Sequence, residues 1–251
     1  MRYFNSFLIA AFFLFVYMLS LAKGNNVTSE KIYLKNLPEQ FRGQSIFFIS
    51  DIHNRLISDK IINRVKDKAE LVIIGGDLME KNVPLEKVRI NVKKLTEIGK
   101  VLFVWGNNDG ENLDEEFSSV LQNEGVFLLE NDFYKWNISG ESLYIAGLDD
   151  WSRGRAKTSF LTNLPGPLIL VMHDPAMTAR LPSGHCIQCA FTGHTHGGQI
   201  RLGPLGLREK GGWKNRNGIP VLVSSGYGTT CLPLRLGAPS ETHLISLYEK
   251  V

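Results

Sequence analysis

Residues 45–53 read SIFFISDIH, an apolar run that ends in a carboxylate and an imidazole two positions apart. Residues 71–77 (LVIIGGD) and 101–109 (VLFVWGNND) repeat this arrangement, with polar side chains directly after the apolar run. Short, nearly continuous apolar runs predict strands that are buried on both faces. Helical spacing at 59–68 and 85–98 separates these runs. The order of strand, helix and strand predicts an α/β fold with a largely parallel sheet.

The second half of the chain contains further apolar runs with few helical segments between them. We predict strands at 142–147, 168–172, 189–192, 220–225 and 242–248. Because parallel strands need long crossover connections, strands that follow one another closely are expected to make part of the sheet system mixed or antiparallel. Two of these strands also end in polar residues, namely His173 and the stretch Gly193–Gly198 (GHTHGG).

Five predicted strands therefore deliver polar side chains to one edge of the fold, where open α/β sheets bind their ligands. Carboxylates close together need a cation to suppress their repulsion, and carboxylates with imidazoles suit Mn, Fe, Zn or Ni. Because alternate strand residues face the same side, Asp51 with His53 and His194 with His196 are expected to point into one site. Each short motif alone is as typical of a surface turn or a helix cap. Their joint occurrence indicates a metal site.

The N-terminal segment from Tyr3 to Ala22 is apolar and carries no charged residue. At about 1.5 Å per residue it is long enough to span a hydrocarbon layer of about 30 Å. We favour an uncleaved anchor over a cleaved signal peptide, and both would export the rest of the chain. The expected organisation is an anchor at 1–22, a linker and lead-in at 23–43, and one domain at 44–251. This predicts a single-pass cell-membrane protein with the domain outside the cytoplasm.

Composition excludes some classes of protein. The 251 residues include 28 Lys and Arg against 25 Asp and Glu, a net charge of +3, so no nucleic-acid partner is expected. With 43% hydrophobic and 21% charged residues the chain is too apolar to be disordered. Cys186, Cys189 and Cys231 are too few for a disulfide scaffold in a domain of this size. Buried thiols are favoured over a zinc knuckle or a redox pair.

In order and spacing, these motifs resemble the calcineurin-like metallophosphoesterases, whose pattern is D-x-H, GD, GNH-D/E, a lone H and GH-x-H. The resemblance runs from about Gln44 to Tyr248. The stretches Gly193–Arg201 (GHTHGGQIR) and Ser225–Glu241 are similar to the membrane-anchored branch that includes relatives of UDP-diacylglucosamine hydrolase and cell-envelope phosphodiesterases. The resemblance implies two mixed β-sheets packed as a sandwich and flanked by helices, which agrees with the strand order above.

The resemblance also implies a set of metal ligands and a chemistry. One divalent cation would be held by Asp51, His53 and His196, and a second by Asn107, His173 and His194, with Asp77 bridging the two. The expected cofactors are two ions of Mn, Fe, Zn or Ni, with Mn favoured. Such a pair clamps a phosphoryl group and acidifies a bridging water for in-line attack. The expected partners are a phosphorylated small-molecule or lipid-linked substrate and, through the anchor, the membrane. Arg55, Arg201 and Arg235 are the candidates to contact the substrate phosphate, because a guanidinium fork suits phosphate, although a surface or structural ion pair is the more frequent role of any single arginine.

One position departs from the family pattern. The expected catalytic pair is Asn108 and Asp109, but the family has His where this chain has Asn108. That His assists the leaving group, whereas an Asn amide can donate a hydrogen bond but no proton near neutral pH. The sequence therefore favours a hydrolase of phosphodiester or pyrophosphate bonds, whose leaving groups need less protonation than alkyl monoesters. The alternative is a non-catalytic metal-binding or scaffold protein that is weakened by Asn108.

Overall fold

A computed structural model describes residues 2–110 and 113–250. Within these ranges the helices are α1 (Arg2–Ala22), α2 (Asp59–Val65), α3 (Leu85–Thr96) and α4 (Asp114–Asn123). The strands are β1 (Asn26–Leu34), β2 (Ser45–Ile49), β3 (Leu71–Gly75), β4 (Lys100–Val104), β5 (Phe127–Leu128), β6 (Asp132–Ile138), β7 (Glu141–Gly147), β8 (Leu168–Val171), β9 (Ile187–Thr192), β10 (Arg201–Leu202), β11 (Leu205–Gly206), β12 (Gly212–Arg216), β13 (Ile219–Val223) and β14 (Glu241–Glu249).

The strands form two six-stranded mixed sheets and one short hairpin. The first sheet has the order β1-β14-β2-β3-β4-β5, and β2 to β5 run parallel. The second has the order β12-β13-β9-β8-β7-β6, with antiparallel pairs at both edges. Strands β10 and β11 pair only with each other. The predicted fold of two mixed sheets with flanking helices is confirmed.

The two sheets pack face to face over a buried apolar layer. Phe48, Ile73 and Val104 of the first sheet belong to the same core cluster as Val171 and Phe191 of the second. The strand neighbours of Phe48, Ile73 and Val104 point the other way and form a second cluster under α2, α3 and α4. Because both faces of β2 and β3 are covered, every residue of these strands is buried. This explains why the strands are continuously apolar in sequence.

The lead-in at 23–43 differs from the predicted linker, because Asn26–Leu34 within it forms an edge strand. β1 pairs in parallel with β14 from Asn26↔Glu241 to Leu34↔Glu249. Val27, Ile32 and Leu34 are buried, whereas most of the residues between them face solvent. The exposed side of an edge strand is polar, and this polarity concealed β1 in the sequence. β6 and β12 are also edge strands with mostly uncovered residues, and they were missed for the same reason.

Helix α1 is long and apolar enough to cross a membrane, with mean hydropathy 2.1 over Tyr3–Ala22. Its side chains are exposed until its last turn, which rests on the domain. There the Arg235 backbone N–H donates to the Met18 carbonyl (3.2 Å), and the Ser240 backbone N–H donates to the Leu21 carbonyl (3.2 Å). The end of the helix is therefore held by hydrogen bonds to the loop that precedes β14.

Candidate metal centre

The loops after β2, β3, β8 and β9 bring buried carboxylates and imidazoles together at the carboxyl edge of the sheets. Two groups of buried side chains each offer ligand atoms within 4.8 Å of one another. They are Asp51, His53 and His196, and Asp51, Asp77 and His173. Five of the seven ligands that the family resemblance implies therefore converge. Carboxylate oxygens and imidazole nitrogens are a donor set that suits first-row divalent cations.

In the first group, two imidazoles face each other across a short gap. His53 Nε2 lies 3.0 Å from His196 Nε2. Asp51 Oδ1 lies 3.4 Å from the same nitrogen of His196, and Asp77 Oδ2 lies 3.7 Å from His53 Nε2. Four donor atoms thus aim at one small volume, which is the arrangement that a cation requires.

The second group contains a buried nitrogen without a hydrogen-bond partner. His173 Nδ1 lies 2.9 Å from the Gly75 carbonyl oxygen, to which it can only donate, so it carries the proton of the neutral ring. In the neutral ring His173 Nε2 has a lone pair, and it faces Asp77 Oδ2 at 3.2 Å. It accepts no hydrogen bond from any described residue. A cation between these two acceptors would satisfy both, and the Gly75 contact supplies the orienting partner that a ligating imidazole usually has.

Asn107 and His194 lie at the open side of the centre. His194 Nδ1 is 2.8 Å from Asn107 Oδ1, and the His194 backbone N–H donates to Asp51 Oδ1 at 3.0 Å. His194 Nε2 accepts from Arg208 Nη1 at 2.6 Å. Asn107 and Arg208 are exposed, in contrast to the buried groups. The structure therefore places these two predicted ligands beside the centre but outside its two tightest clusters.

The backbone of the ligand loops is left-handed rather than extended. φ is 53° at Asp51, 51° at His53, 52° at Asp77, 68° at His194 and 50° at His196. The expectation that strand alternation aims these pairs is wrong, because the ligands follow the strands and are turned by left-handed residues. Such conformations are uncommon outside glycine, and they cluster at functional sites.

Two glycines allow the chain to approach the carboxylates closely. A Cβ on Gly106 would overlap Asp77 Oδ1, and a Cβ on Gly193 would overlap Asp51 Oδ2. Any side chain at either position would displace a carboxylate of the cluster. The glycines that accompany the motifs in sequence therefore have a steric role.

Opposite charges compensate one another inside the cluster. Burial alone would lower the pKa of His173, but Asp77 and Asp51 outweigh it and raise this pKa well above its ordinary value. Burial likewise opposes ionisation of Asp77, but His173 and His53 hold its pKa far below the ordinary value. Burial lowers the pKa of His196 to about 4, which leaves a neutral imidazole. His196 thus offers a free lone pair beside an ionised Asp77, whereas a cation would have to displace the second proton of His173, because metal ligands bind in their deprotonated form.

Asn108 and Asp109 both contact the loop of Asp77. Asn108 Nδ2 donates to Asp77 Oδ2 (2.7 Å), and its backbone N–H donates to Asp77 Oδ1 (2.9 Å). Asp109 is buried, and its carboxylate accepts the backbone N–H groups of Asp77 (2.8 Å), Met79 (3.1 Å) and Gly106 (2.8 Å). The Asp109 carboxylate therefore holds the backbone behind Asp77, and its predicted catalytic role stays a prediction.

The three arginines predicted to bind phosphate donate instead to backbone carbonyls. Arg235 is fully buried, and its guanidinium donates to the carbonyls of Ser225 (2.7 Å), Gly228 (2.6 Å) and Ala238 (3.0 Å). Arg201 donates to the carbonyls of Arg208 (2.6 Å) and Pro204 (2.7 Å). Arg55 donates to the carbonyls of Tyr227 (2.7 Å), Lys23 (2.8 Å) and Gly24 (2.8 Å). These contacts stabilise the loops around the centre and engage the guanidinium of the fully buried Arg235, whereas the predicted phosphate contacts of Arg55 and Arg201 stay predictions.

Two residues near the centre were missed in the sequence. Arg208 has a guanidinium that contacts His194 at the open side, as described above. Glu80 Oε2 lies 3.4 Å from His53 Nδ1, where it can orient the ring. No sequence signal separates Arg208 from the other 27 basic residues of the chain, because 28 Lys and Arg are spread along it. For Glu80, the only sequence signal is its position three residues after Asp77.

The cysteines are only partly as predicted. Cys189 is buried, and burial raises its thiol pKa to about 12. Cys186 and Cys231 are exposed, and all three are free thiols. The expected buried thiol is therefore found at one of the three positions. The exposed positions lie in loops, where the short polar context gives no burial signal.

Comparison with known proteins agrees with this centre. Residues 45–203 match the calcineurin-like phosphoesterase superfamily domain. The chain is 38% identical over 241 residues to the protein YpbG of Bacillus subtilis (strain 168), covering 92% of this chain and 90% of that protein. It is 24% identical over 172 residues to the phosphodiesterase YaeI of Escherichia coli (strain K12), covering 64% and 63%.

A solved structure shares the fold. The phosphopantetheinyl hydrolase PptH of Mycobacterium tuberculosis has a TM-score of 0.51 at 14% identity, over 78% of this chain and 96% of that one. The matched domain and the relative of 38% identity confirm the family that the motifs predicted. The chain belongs to the calcineurin-like phosphoesterase superfamily and is a metal-dependent phosphoesterase.

Proposed function

We propose that the protein is a membrane-anchored phosphodiesterase or pyrophosphatase that works with two divalent cations, Mn being favoured. The observation that carries the proposal is the pair of buried acceptors His173 Nε2 and Asp77 Oδ2, which face each other at 3.2 Å. Asp51, His53 and His196 would hold one cation, and Asn107, His173 and His194 the other. Asp77 would serve both, since its Oδ2 lies within 3.7 Å of His53 Nε2 as well.

When bound, two such cations would polarise the phosphoryl oxygens and increase the acidity of a bound water. The remaining work falls to the chain's own side chains. Asn108 orients the Asp77 carboxylate with two hydrogen bonds, and Asp109 fixes the backbone beneath it. Arg208, at the open side, can donate a hydrogen bond to a phosphoryl oxygen, because a guanidinium fork suits phosphate.

The choice of diester or pyrophosphate rests on Asn108. An amide can hold an oxygen but cannot deliver a proton to an alkoxide leaving group. Leaving groups that need little protonation, such as a phosphate or an acidic alcohol, are therefore preferred. The relative YaeI is named a phosphodiesterase, which also supports a diester as the substrate.

The place of action is part of the proposal. Helix α1 would anchor the chain as a single span, with the catalytic domain outside the cytoplasm. The likeness of 193–201 and 225–241 to relatives of UDP-diacylglucosamine hydrolase and cell-envelope phosphodiesterases supports an envelope or lipid-linked phosphate as substrate. No nucleic-acid substrate is proposed, since the net charge is only +3.

The test uses the full-length protein in detergent, stripped of metal and reloaded with Mn²⁺. We expect two equivalents of bound metal by elemental analysis, and hydrolysis of bis(p-nitrophenyl) phosphate that exceeds hydrolysis of an alkyl phosphate monoester. Asp59→Ala, which removes an exposed carboxylate outside the centre, serves as the control. Two bound cations with no turnover of any phosphoester would instead establish the non-catalytic alternative.

A further inference from the structure

A small hairpin next to the metal centre carries leucines that nothing in the described chain covers. Leu202 is 70% exposed, Leu205 is 73% exposed and Leu207 is 98% exposed on or beside the β10–β11 hairpin. Leu232, in the loop before β14, is 60% exposed. We call residues 200–207 together with Leu232 the leucine hairpin. Grouped exposed apolar side chains usually mark a surface that meets another apolar phase.

The leucine hairpin is joined to the last turn of α1. The Arg201 backbone N–H donates to the Leu236 carbonyl (2.7 Å), and the preceding loop residue, Arg235, donates its backbone N–H to the Met18 carbonyl (3.2 Å). Met18 precedes the end of α1 by four residues, a rise of about 6 Å. If α1 crosses a bilayer, this loop meets the helix about one turn inside the span.

The leucine hairpin is also joined to the metal centre. Arg208 directly follows Leu207, and its guanidinium lies 2.6 Å from His194 Nε2. The guanidinium of Arg201 holds the hairpin in shape through the carbonyls of Pro204 and Arg208. One short segment thus presents leucines at one end and, at the other, a guanidinium that contacts the metal centre.

A cavity connects the end of α1 with the other side of the centre. It has a volume of about 290 Å³ and is lined in part by Ala22, Arg55, Glu80 and Cys231. Glu80 contacts His53, as described above, so the cavity runs from the helix end to a ligand of the first group. A substrate lying at the membrane surface could extend into it.

We propose that the leucine hairpin enters the interfacial layer of the lipid bilayer, so that the metal centre takes its phosphate from a lipid headgroup. This inference rests on the proposed function and names its substrate class. Leucines that lie at the depth of the last turn of α1 would be partly buried between the lipid headgroups. Amphipathic surfaces bind bilayers by burying their apolar side chains in this layer. Arg208 then meets the headgroup phosphate at the open side of the centre.

The first arm of the test measures depth and needs no activity. Full-length Leu207→Trp is reconstituted in phosphatidylcholine vesicles with or without brominated acyl chains. The matched control is Tyr33→Trp, which is exposed near the far end of β1, roughly 20 Å further along the strand from α1. We expect bromine to quench the added emission of Leu207→Trp and to leave that of Tyr33→Trp unchanged. Equal quenching of the two variants, or none of Leu207→Trp, overturns the proposal in favour of a protein partner or a second copy.

The second arm compares two substrates. The combined substitutions Leu202→Ser, Leu205→Ser and Leu207→Ser should lower hydrolysis of a nitrophenyl ester of phosphatidic acid in vesicles by about 10-fold or more. Hydrolysis of soluble bis(p-nitrophenyl) phosphate should stay within about 2-fold, and Tyr33→Ser should leave both rates unchanged. Parallel loss on both substrates, or no loss on vesicles, contradicts the proposal. A wild type that hydrolyses neither substrate refutes the proposed function. The quenching experiment then still tests whether the leucine hairpin enters the bilayer, because it needs no activity.

Discussion

The buried side of the metal centre and its open side differ in how their side chains are held. Asp51, Asp77 and His173 are buried and fixed by backbone hydrogen bonds or by glycines that press against them. Asn107 and Arg208 are exposed and meet at a single histidine, His194. The buried side is therefore built to keep its ligand positions with or without substrate, whereas the open side can rearrange when a phosphate arrives.

The largest expected effect comes from breaking the buried side. Asp77→Ala removes the carboxylate that faces both histidine groups, so activity should fall by more than the roughly 10²-fold typical of residues behind the ligands. Bound metal should fall below two equivalents. The increase in melting temperature on adding Mn²⁺ should become smaller, because bound metal stabilises only the folded state. Elemental analysis and thermal unfolding measure both. Wild-type turnover in Asp77→Ala would show that the dinuclear assignment is wrong.

A substitution one layer further back should weaken the same side less. Asp109→Asn replaces a carboxylate that accepts three backbone N–H groups with an amide whose NH₂ can accept none. We expect metal affinity to fall by about 10- to 100-fold, with saturated turnover largely kept at high Mn²⁺. Metal titration at fixed substrate separates this outcome from a catalytic role, in which activity would stay low at any metal concentration.

Asn108 lies between the two sides, because it is partly exposed and donates to the buried Asp77. Asn108→His restores a group that can deliver a proton, so hydrolysis of substrates with poor leaving groups should rise by up to about 10²-fold. Aryl diesters, which leave without protonation, should change little. Rates measured on a series of leaving groups check this. A uniform change across the series would mean that Asn108 acts only through its hydrogen bonds to Asp77.

The smallest effect is expected at Arg208. Arg208→Ala removes a hydrogen bond to a charged phosphoryl group, a contact that contributes about 1.5–3 kcal/mol, so kcat/KM should drop by roughly 10-fold or more, mainly through KM. Bound metal should remain at the wild-type level, which separates this variant from the buried ones. Arg208→Lys should restore part of the affinity, since it keeps the charge but not the fork. A loss of metal in Arg208→Ala would place this residue with the ligands instead.

Much of the framework was predictable because its signals are local. β2, β3 and β8 begin at the first residues of the apolar runs that predicted them, since buried parallel strands are continuously apolar. The edge strands β1 and β6 were not predicted, because one of their faces is polar and their sequences therefore resemble those of loops. Two-sided burial thus leaves a clear pattern in the sequence, and one-sided pairing does not.

The site was predictable in its chemistry and less so in its geometry. The motif residues around Asp51 and His196 do converge, but through left-handed turns rather than along a strand. Arg235 illustrates what cannot be read locally, because the carbonyls that surround its guanidinium come from a loop whose path depends on the whole fold. Arg208 becomes visible only when the hairpin folds back on His194.

The left-handed backbone at five ligand positions has a consequence for how cations are taken up. Conformations of this kind cost of order 1–3 kcal/mol each, and here the strands and the packed glycines must supply that energy during folding. The ordering of the ligand loops is thus complete before any ion arrives. Loading should then resemble the filling of a rigid receptor, with an association rate set by ion dehydration and diffusion. The far-UV circular dichroism spectrum should stay constant throughout the titration.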